Sequence, residues 1–275
     1  MPERTPTVDV AFRDRQLALF QSSVLKKAKW RELSQAIEGH SHRHALDLGS
    51  DNGVISHLFR ERGGEWSSAD LTAETTDAIR RMVGSRVHQL NGPALPFPDQ
   101  SFDLIVVVDL MEHIVAHDML AGELARCLRP GGRLVLNVPH VRRLAVLPSV
   151  RNALGLTDDW HGHVRPGYTA ESLGDLLSPW FAVRGVRSYS KFFSHFLDTA
   201  LNWVYLRGSR GRARSTAKGM VVTGDSHGMG GGGGALRLAY PVMRAFAALD
   251  SLLPWTSGYM LLMVAERLPS GTPRG

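Results

Sequence analysis

The stretch Ala45-Leu46-Asp47-Leu48-Gly49-Ser50-Asp51-Asn52-Gly53 decides the fold. Its short apolar run stops at Gly49. After a polar turn and a second glycine, Val54 to Arg62 resumes with helical spacing. A buried strand, a glycine turn and a helix open a βαβ unit.

The pattern repeats outward from there. Glu65 to Asp70 reads as a second, weaker strand, Thr75 to Val83 as a helix and Arg86 to Leu90 as a third strand. Asp103-Leu104-Ile105-Val106-Val107-Val108-Asp109 is the clearest strand, and its unbroken apolar run suits the centre of a parallel sheet. His117 to Leu128 reads as a helix that stops at Arg129-Pro130-Gly131-Gly132, before a fifth strand from Arg133 to Val138. Alternating strands and helices predict an α/β, Rossmann-like, doubly wound sheet built by right-handed crossovers. Val10 to Gly39 is expected as helix, Thr169 to Leu177 as another, with Phe181 to Tyr189 and Tyr259 to Ala265 as the last two strands. The domain reading is an N-terminal helical segment 1–44, a core of 45–190 plus 258–268, a helical insertion 191–257 and a tail 269–275.

The turn after the first strand carries the chemistry. Glycines there let backbone approach a ligand without a Cβ in the way. Asp51 stands where a dinucleotide fingerprint wants its middle glycine, and an anion there would repel a pyrophosphate. A sulfonium or an ammonium tolerates it. A plain helix N-cap is the simpler role for Asp51, and the two are compatible. Asp70, 23 residues after Asp47, ends the second strand, where a carboxylate can accept from both hydroxyls of a ribose.

Taken with Leu95-Pro96-Phe97-Pro98-Asp99-Gln100-Ser101-Phe102-Asp103, Asp109-Leu110-Met111-Glu112-His113-Ile114 and Leu128-Arg129-Pro130-Gly131-Gly132, these motifs resemble the class I S-adenosylmethionine-dependent methyltransferases. The closest flavour is their small-molecule, quinone and lipid branch. The resemblance spans roughly residues 45 to 140, about a third of the chain. It implies a seven-stranded sheet with the last strand antiparallel and S-adenosylmethionine as cofactor. It implies cofactor-binding roles for Asp47, Gly49, Ser50, Asp51 and Gly53, for Asp70 and Leu71, for Asn91 and Gly92, and for Asp109 and Leu110. Asp51 and Asn91 depart from the usual glycine and acid, and Asn91 can still accept from an adenine amino group.

Methyl transfer from a sulfonium asks the protein to align a nucleophile and, for a hydroxyl, to take its proton. His113, just beyond the fourth strand, is the candidate base; a packed histidine that bonds backbone is the bland alternative. His140, His161, His163 and Tyr168 are expected to line the acceptor side, because the loop after the fifth strand overhangs the cleft in this fold. A metal is not expected: His161 and His163 sit beside Asp158 and Asp159, but no third histidine is near them in sequence.

The chain has 275 residues, 43% of them hydrophobic and 21% charged, which excludes a disordered reading. Its one cysteine, Cys127, excludes an intrachain disulfide. No segment reads as membrane-spanning or as a signal peptide, so a cytoplasmic protein is expected. The net charge is +6, and Arg207, Arg210, Arg212, Arg214 and Lys218 stand together without an acid. Beside the apolar insertion they suggest an anionic membrane surface, peripheral at the inner face, and a small hydrophobic, lipid-linked or glycan-linked acceptor methylated on oxygen in preference to nitrogen or carbon. A nucleic-acid methyltransferase is the rival enzyme. Asp109-Leu110-Met111-Glu112 lacks the Pro-Pro-aromatic end used to stack a flipped base. A binding protein without turnover and a nicotinamide dehydrogenase are the remaining alternatives.

Overall fold

The computed structural model describes residues 8–142, 154, 162–208, 232–253 and 256–269. Seven strands form one sheet: β1 His44–Leu48, β2 Glu65–Asp70, β3 Val87–Gln89, β4 Phe102–Val108, β5 Leu128–Pro139, β6 Phe181–Tyr189 and β7 Met260–Arg267. Their order is β3-β2-β1-β4-β5-β7-β6. The first five run parallel, and β7 enters antiparallel between β5 and β6, with Val135 opposite Val264 and Val186 opposite Met263. The expected Rossmann-like sheet with its antiparallel last strand is what the chain forms. The order reverses between β1 and β4, so the ligand crevice belongs at their carboxyl ends.

Helices α3 Val54–Arg60, α4 Ala73–Val83, α5 His117–Cys127 and α6 Ala170–Leu177 provide the crossovers and the cover. Leu104, Val106 and Val108 of β4 face Leu33, Phe59 and Trp66. Ile105 and Val107 face Leu120, Leu124 and Leu173 on the other side. The strand is thus buried on both faces, as its unbroken apolar run requires.

The single N-terminal helix expected from Val10 to Gly39 is two, α1 Val10–Gln21 and α2 Val24–Ile37. Ser23 breaks it: its side chain accepts from the Lys26 N–H and caps α2. β5 begins five residues earlier than expected, because Leu128 pairs with Phe102 before the register shifts and Gly131 turns at φ +76°.

The segment between β6 and β7 contains α7 Phe192–Gly208 and α8 Gly232–Ala248, followed by a 3-10 turn, Leu249–Leu252. Asp250 in that turn accepts from the backbone N–H groups of Lys191 (2.9 Å) and Phe193 (2.8 Å), so one end of the insertion caps the other. Phe193 meets Phe246 edge-on at 5.2 Å. Lys27 of α2 donates to the Tyr240 hydroxyl at 2.9 Å and holds α8 against the N-terminal helices.

Candidate active site

Below the glycine turn, Asp47 is fully buried and accepts from Ser50 (2.9 Å), Ser56 (2.5 Å) and Ser68 (2.6 Å), with Arg60 at 3.9 Å. Burial pushes its carboxyl above the ordinary carboxylate range, against the pull of Arg60 and the three hydroxyls. Asp47 therefore braces the turn from beneath, a role the resemblance alone did not reveal. Gly49 and Gly53 take left-handed conformations at φ +85° and +79°. Gly53 is doubly required, since a Cβ there would lie 2.8 Å from the Ile79 Cα.

Asp51 is not the helix cap that a local reading suggests. Gly53 occupies the N-cap, and Asp51 adopts φ +57° with its charge beside Lys26 and Lys29. Asn52 explains part of this shape: its amide donates to the buried Gln16 of α1 at 2.9 Å. Asp70 accepts from the N–H of Asp51 at 3.0 Å and of Leu71 at 2.7 Å, one on each oxygen. Asp70 is itself buried beneath the turn. Asn91 and Gly92 lie exposed just past β3, and Leu90 donates its N–H to the Asp70 carbonyl at 2.8 Å.

At the end of β4, Asp109 adopts φ +46°, a strained position for a residue with a Cβ. Its carboxylate binds the Lys29 ammonium on one oxygen and accepts from Asn137 Nδ2 at 2.7 Å on the other. Asn137 in turn accepts from the Tyr189 hydroxyl at 2.7 Å. Burial alone would lower the Lys29 pKa, but Asp109, Glu112 and Asp51 together raise it. Lys26 moves the other way, lowered by burial despite Asp51. Burial raises Tyr189 well above the phenol range, so it stays a neutral donor. Leu110 is buried behind Asp109.

His113 lies in a 3-10 turn, Met111–His113, and its Nδ1 sits 2.9 Å from the Gly162 carbonyl. An N–H is the partner a carbonyl needs, so Nε2 is the basic nitrogen. The 162–168 loop is fastened over this turn. Val164 donates its N–H to the Glu112 carbonyl at 3.0 Å, and Arg165 donates to the carbonyls of Met111, Ile114 and Val115 at 2.6–2.9 Å. His163 is thereby brought against His113, ring centroids 4.8 Å apart.

The other expected acceptor residues are differently employed. Tyr168 is buried, its hydroxyl placed 2.7 Å from His117 Nδ1 and 3.3 Å from the Met111 carbonyl; burial pushes its pKa up to about 12. It packs as a pillar under the turn. His140 Nδ1 bonds the Gly258 carbonyl at 2.8 Å, tying β5 to the insertion's return. His161 lies outside the described residues.

With this geometry in view, residues 46–136 match the family model of the methyltransferase domain. Those residues form a methyltransferase domain. The ubiquinone/menaquinone biosynthesis C-methyltransferase of Pseudoalteromonas translucida is 29% identical over 119 residues, 39% of this chain and 47% of that protein. The chain spans about half the length of the first curated relatives it matches. An S-adenosylmethionine-dependent methyltransferase from Mesorhizobium loti superposes with TM-score 0.53 at 16% identity, covering 87% of this chain and 98% of that one. The cyclase SpnF superposes at TM-score 0.57 and 18% identity, over 90% and 83% of the two chains. That likeness concerns the fold alone.

S-adenosylmethionine is the cofactor of this class of domain. Asp51, Asp70, Asn91 and Asp109 all stand at the carboxyl-end side of the sheet, at or after the ends of β1, β2, β3 and β4 in turn. The residues that sequence reasoning missed are Lys29, Asn137 and Tyr189. Lys29 read as part of a basic helix face, and no local pattern ties it to Asp109, 80 residues away.

Proposed function

We propose that the protein transfers a methyl group from S-adenosylmethionine to a small hydrophobic acceptor of the quinone or lipid-linked kind. The observation that carries this reading is Asp70, braced by two backbone N–H groups beside the glycine turn of a domain matched over residues 46–136. When bound, the cofactor supplies a methyl already activated on a sulfonium. The chain's task is then alignment and proton removal. Asp70 holds the ribose, the Gly49–Gly53 turn lies under the methionine portion, and Asp109 faces the sulfonium side. His113, with Nε2 as its basic nitrogen, takes the proton of an acceptor hydroxyl.

Oxygen is the acceptor atom we favour, because a base matters most for a hydroxyl. The first curated relative is named for C-methylation. Deprotonating a phenolic hydroxyl also enriches the neighbouring ring carbon, so one base serves either outcome. The insertion acts as the cap over the acceptor, and its outer face suits an anionic membrane surface: Phe192, Phe196, Leu201, Val242 and Leu252 are exposed. No helix among the described residues is long and apolar enough to cross a membrane.

The test is a transfer assay with methyl-labelled cofactor and a panel of demethylated quinols and hydroxylated lipids. Label should enter a quinol or lipid phenol and fall by about 100-fold or more in His113→Ala. Label in none of them, with cofactor binding intact, would remove this acceptor class.

A further inference from the structure

One grouping of side chains surrounds the proposed base. Glu112, His113 and His163 each offer one ligand atom, and these atoms all lie within 4.8 Å of one another. We infer that Glu112, His113 and His163 bind one divalent transition-metal ion, beside the acceptor end of the cleft.

Three features carry the inference. The first is chemistry: one carboxylate and two imidazoles are the donor set of zinc, cobalt, manganese and ferrous ions, and three protein ligands leave positions open for a substrate. The second is how the donors are oriented. The Gly162 carbonyl holds His113 Nδ1, the outer bond that ligating histidines use to fix the ring and leave the other nitrogen for a metal. Gly162 and Val164, the two chain neighbours of His163, are both bonded to the turn that carries Glu112 and His113. The 50-residue separation between the histidines is closed by backbone contacts that set His163 in one place. The third is burial. Glu112 is 1% exposed, and its Oε2 and the His163 Nδ1 are shut off from solvent. A buried carboxylate needs positive charge close by. Lys29 acts on Glu112 from its place on Asp109, and a divalent ion held with the two imidazoles would add to that. His161 and His163 have no third histidine near them in sequence; the turn after β4 brings His113 and Glu112 to His163.

Glu112 follows Asp109 by three residues, which puts the ion next to the acceptor. A hydroxyl drawn to such an ion loses its proton to solvent more readily. Its oxygen, or the conjugated ring carbon, then forms the bond to methyl as the carbon–sulfur bond breaks and neutral S-adenosylhomocysteine leaves. His113 is a ligand in the loaded protein and a base in the metal-free one. This catalytic role rests on the methyl-transfer reading; the binding of the ion does not.

The test uses tag-free full-length protein, stripped with a chelator and titrated with Co2+ by visible absorption and with Zn2+ by calorimetry. Both should saturate at one equivalent. Glu112→Gln and His163→Ala should each weaken binding at least about tenfold, while His57→Ala on α3 leaves it unchanged. Circular dichroism and urea midpoints report whether each variant still folds, and His163 lies on the loop before α6 and outside the buried core. One-equivalent Co2+ binding lost in both variants supports the site even if S-adenosylmethionine fails to bind, an outcome that removes only the role in methyl transfer. Lack of saturable binding to the unaltered protein, or unchanged affinity in both variants, overturns it.

Discussion

The Lys29 ammonium rests on the Asp109 carboxylate and ties the N-terminal helix α2 to the carboxyl end of β4. Both side chains are 27% exposed. Asp109 is also held by Asn137 of β5, and through it by Tyr189 of β6, so one helix and three strands of the sheet are linked through one carboxylate.

Lys29→Met should therefore destabilise the protein by about 1–3 kcal/mol, less than a fully buried pair because solvent reaches this one. The raised Lys29 pKa means its contribution is fully present below the unfolded value near 10.5 and is lost only as pH climbs through the higher folded value. Urea midpoints of the variant and the parent should differ by the same amount at pH 7 and pH 9. A gap that closes between those two values would contradict the pair.

Gly53→Ala meets two costs at once. Its φ of +79° is unfavourable for any residue with a Cβ, and the new methyl would lie 2.8 Å from the Ile79 Cα and 2.9 Å from Met82. About 2–4 kcal/mol of stability should go, from left-handed strain and overpacking together. Gly92→Ala shares the positive φ but meets no atom within 4 Å, and should cost about half as much or less. Thermal melting of the two variants measures the difference; equal losses would mean that packing on α4 is irrelevant.

Burial lowers the pKa of His40, His57, His88 and His117 below 6.5. The unfolded chain then takes up protons that the folded one refuses. Stability should be level above about pH 7 and should fall as pH drops from about 6.5 through the folded values. The carboxylates held low by hydrogen bonds, Asp9, Glu65, Asp103 and Glu123, add their own loss only further down, through the carboxylate range. Urea midpoints between pH 5 and 6.5 isolate the histidines, and His88→Gln should flatten that slope. A midpoint that rises on acidification would reverse the sign.

The exposed apolar residues of the insertion and the basic run from Arg207 to Lys218 predict salt-sensitive sedimentation with anionic liposomes. Replacing Arg210, Arg212 and Arg214 with Ser should reduce it, with cofactor affinity unchanged. Failure to sediment at low ionic strength would favour a freely diffusing acceptor.

How much of this was legible in the sequence follows from which interactions are local. The strand from Asp103 to Val108 announces its place because both faces are buried. The glycine turn and Asp70 follow from strand ends. The serine break at Ser22-Ser23 is an ordinary capping signal inside a strongly helical pattern, and the pattern hid it. Lys29 on Asp109, Asp47 under three serines, and His163 against Glu112 and His113 are products of chain crossing. Each partner alone looks like a surface lysine, a ligand-facing acid or a loop histidine, and only the tertiary fold distinguishes them. Tyr168 is a case of the same kind: an aromatic on a loop after β5 can as easily support the turn beneath as touch a substrate, and the sequence alone does not separate the two.

Binding of S-adenosylmethionine through Asp70 is the step on which every proposed role of this cleft depends. Calorimetric titration of the purified protein should show one saturable site, weakened in Asp70→Ala by about 1–3 kcal/mol, the scale of hydrogen bonds to a charged group. A protein that gives no saturable binding, or an Asp70→Ala variant that binds as tightly as its parent, would contradict it.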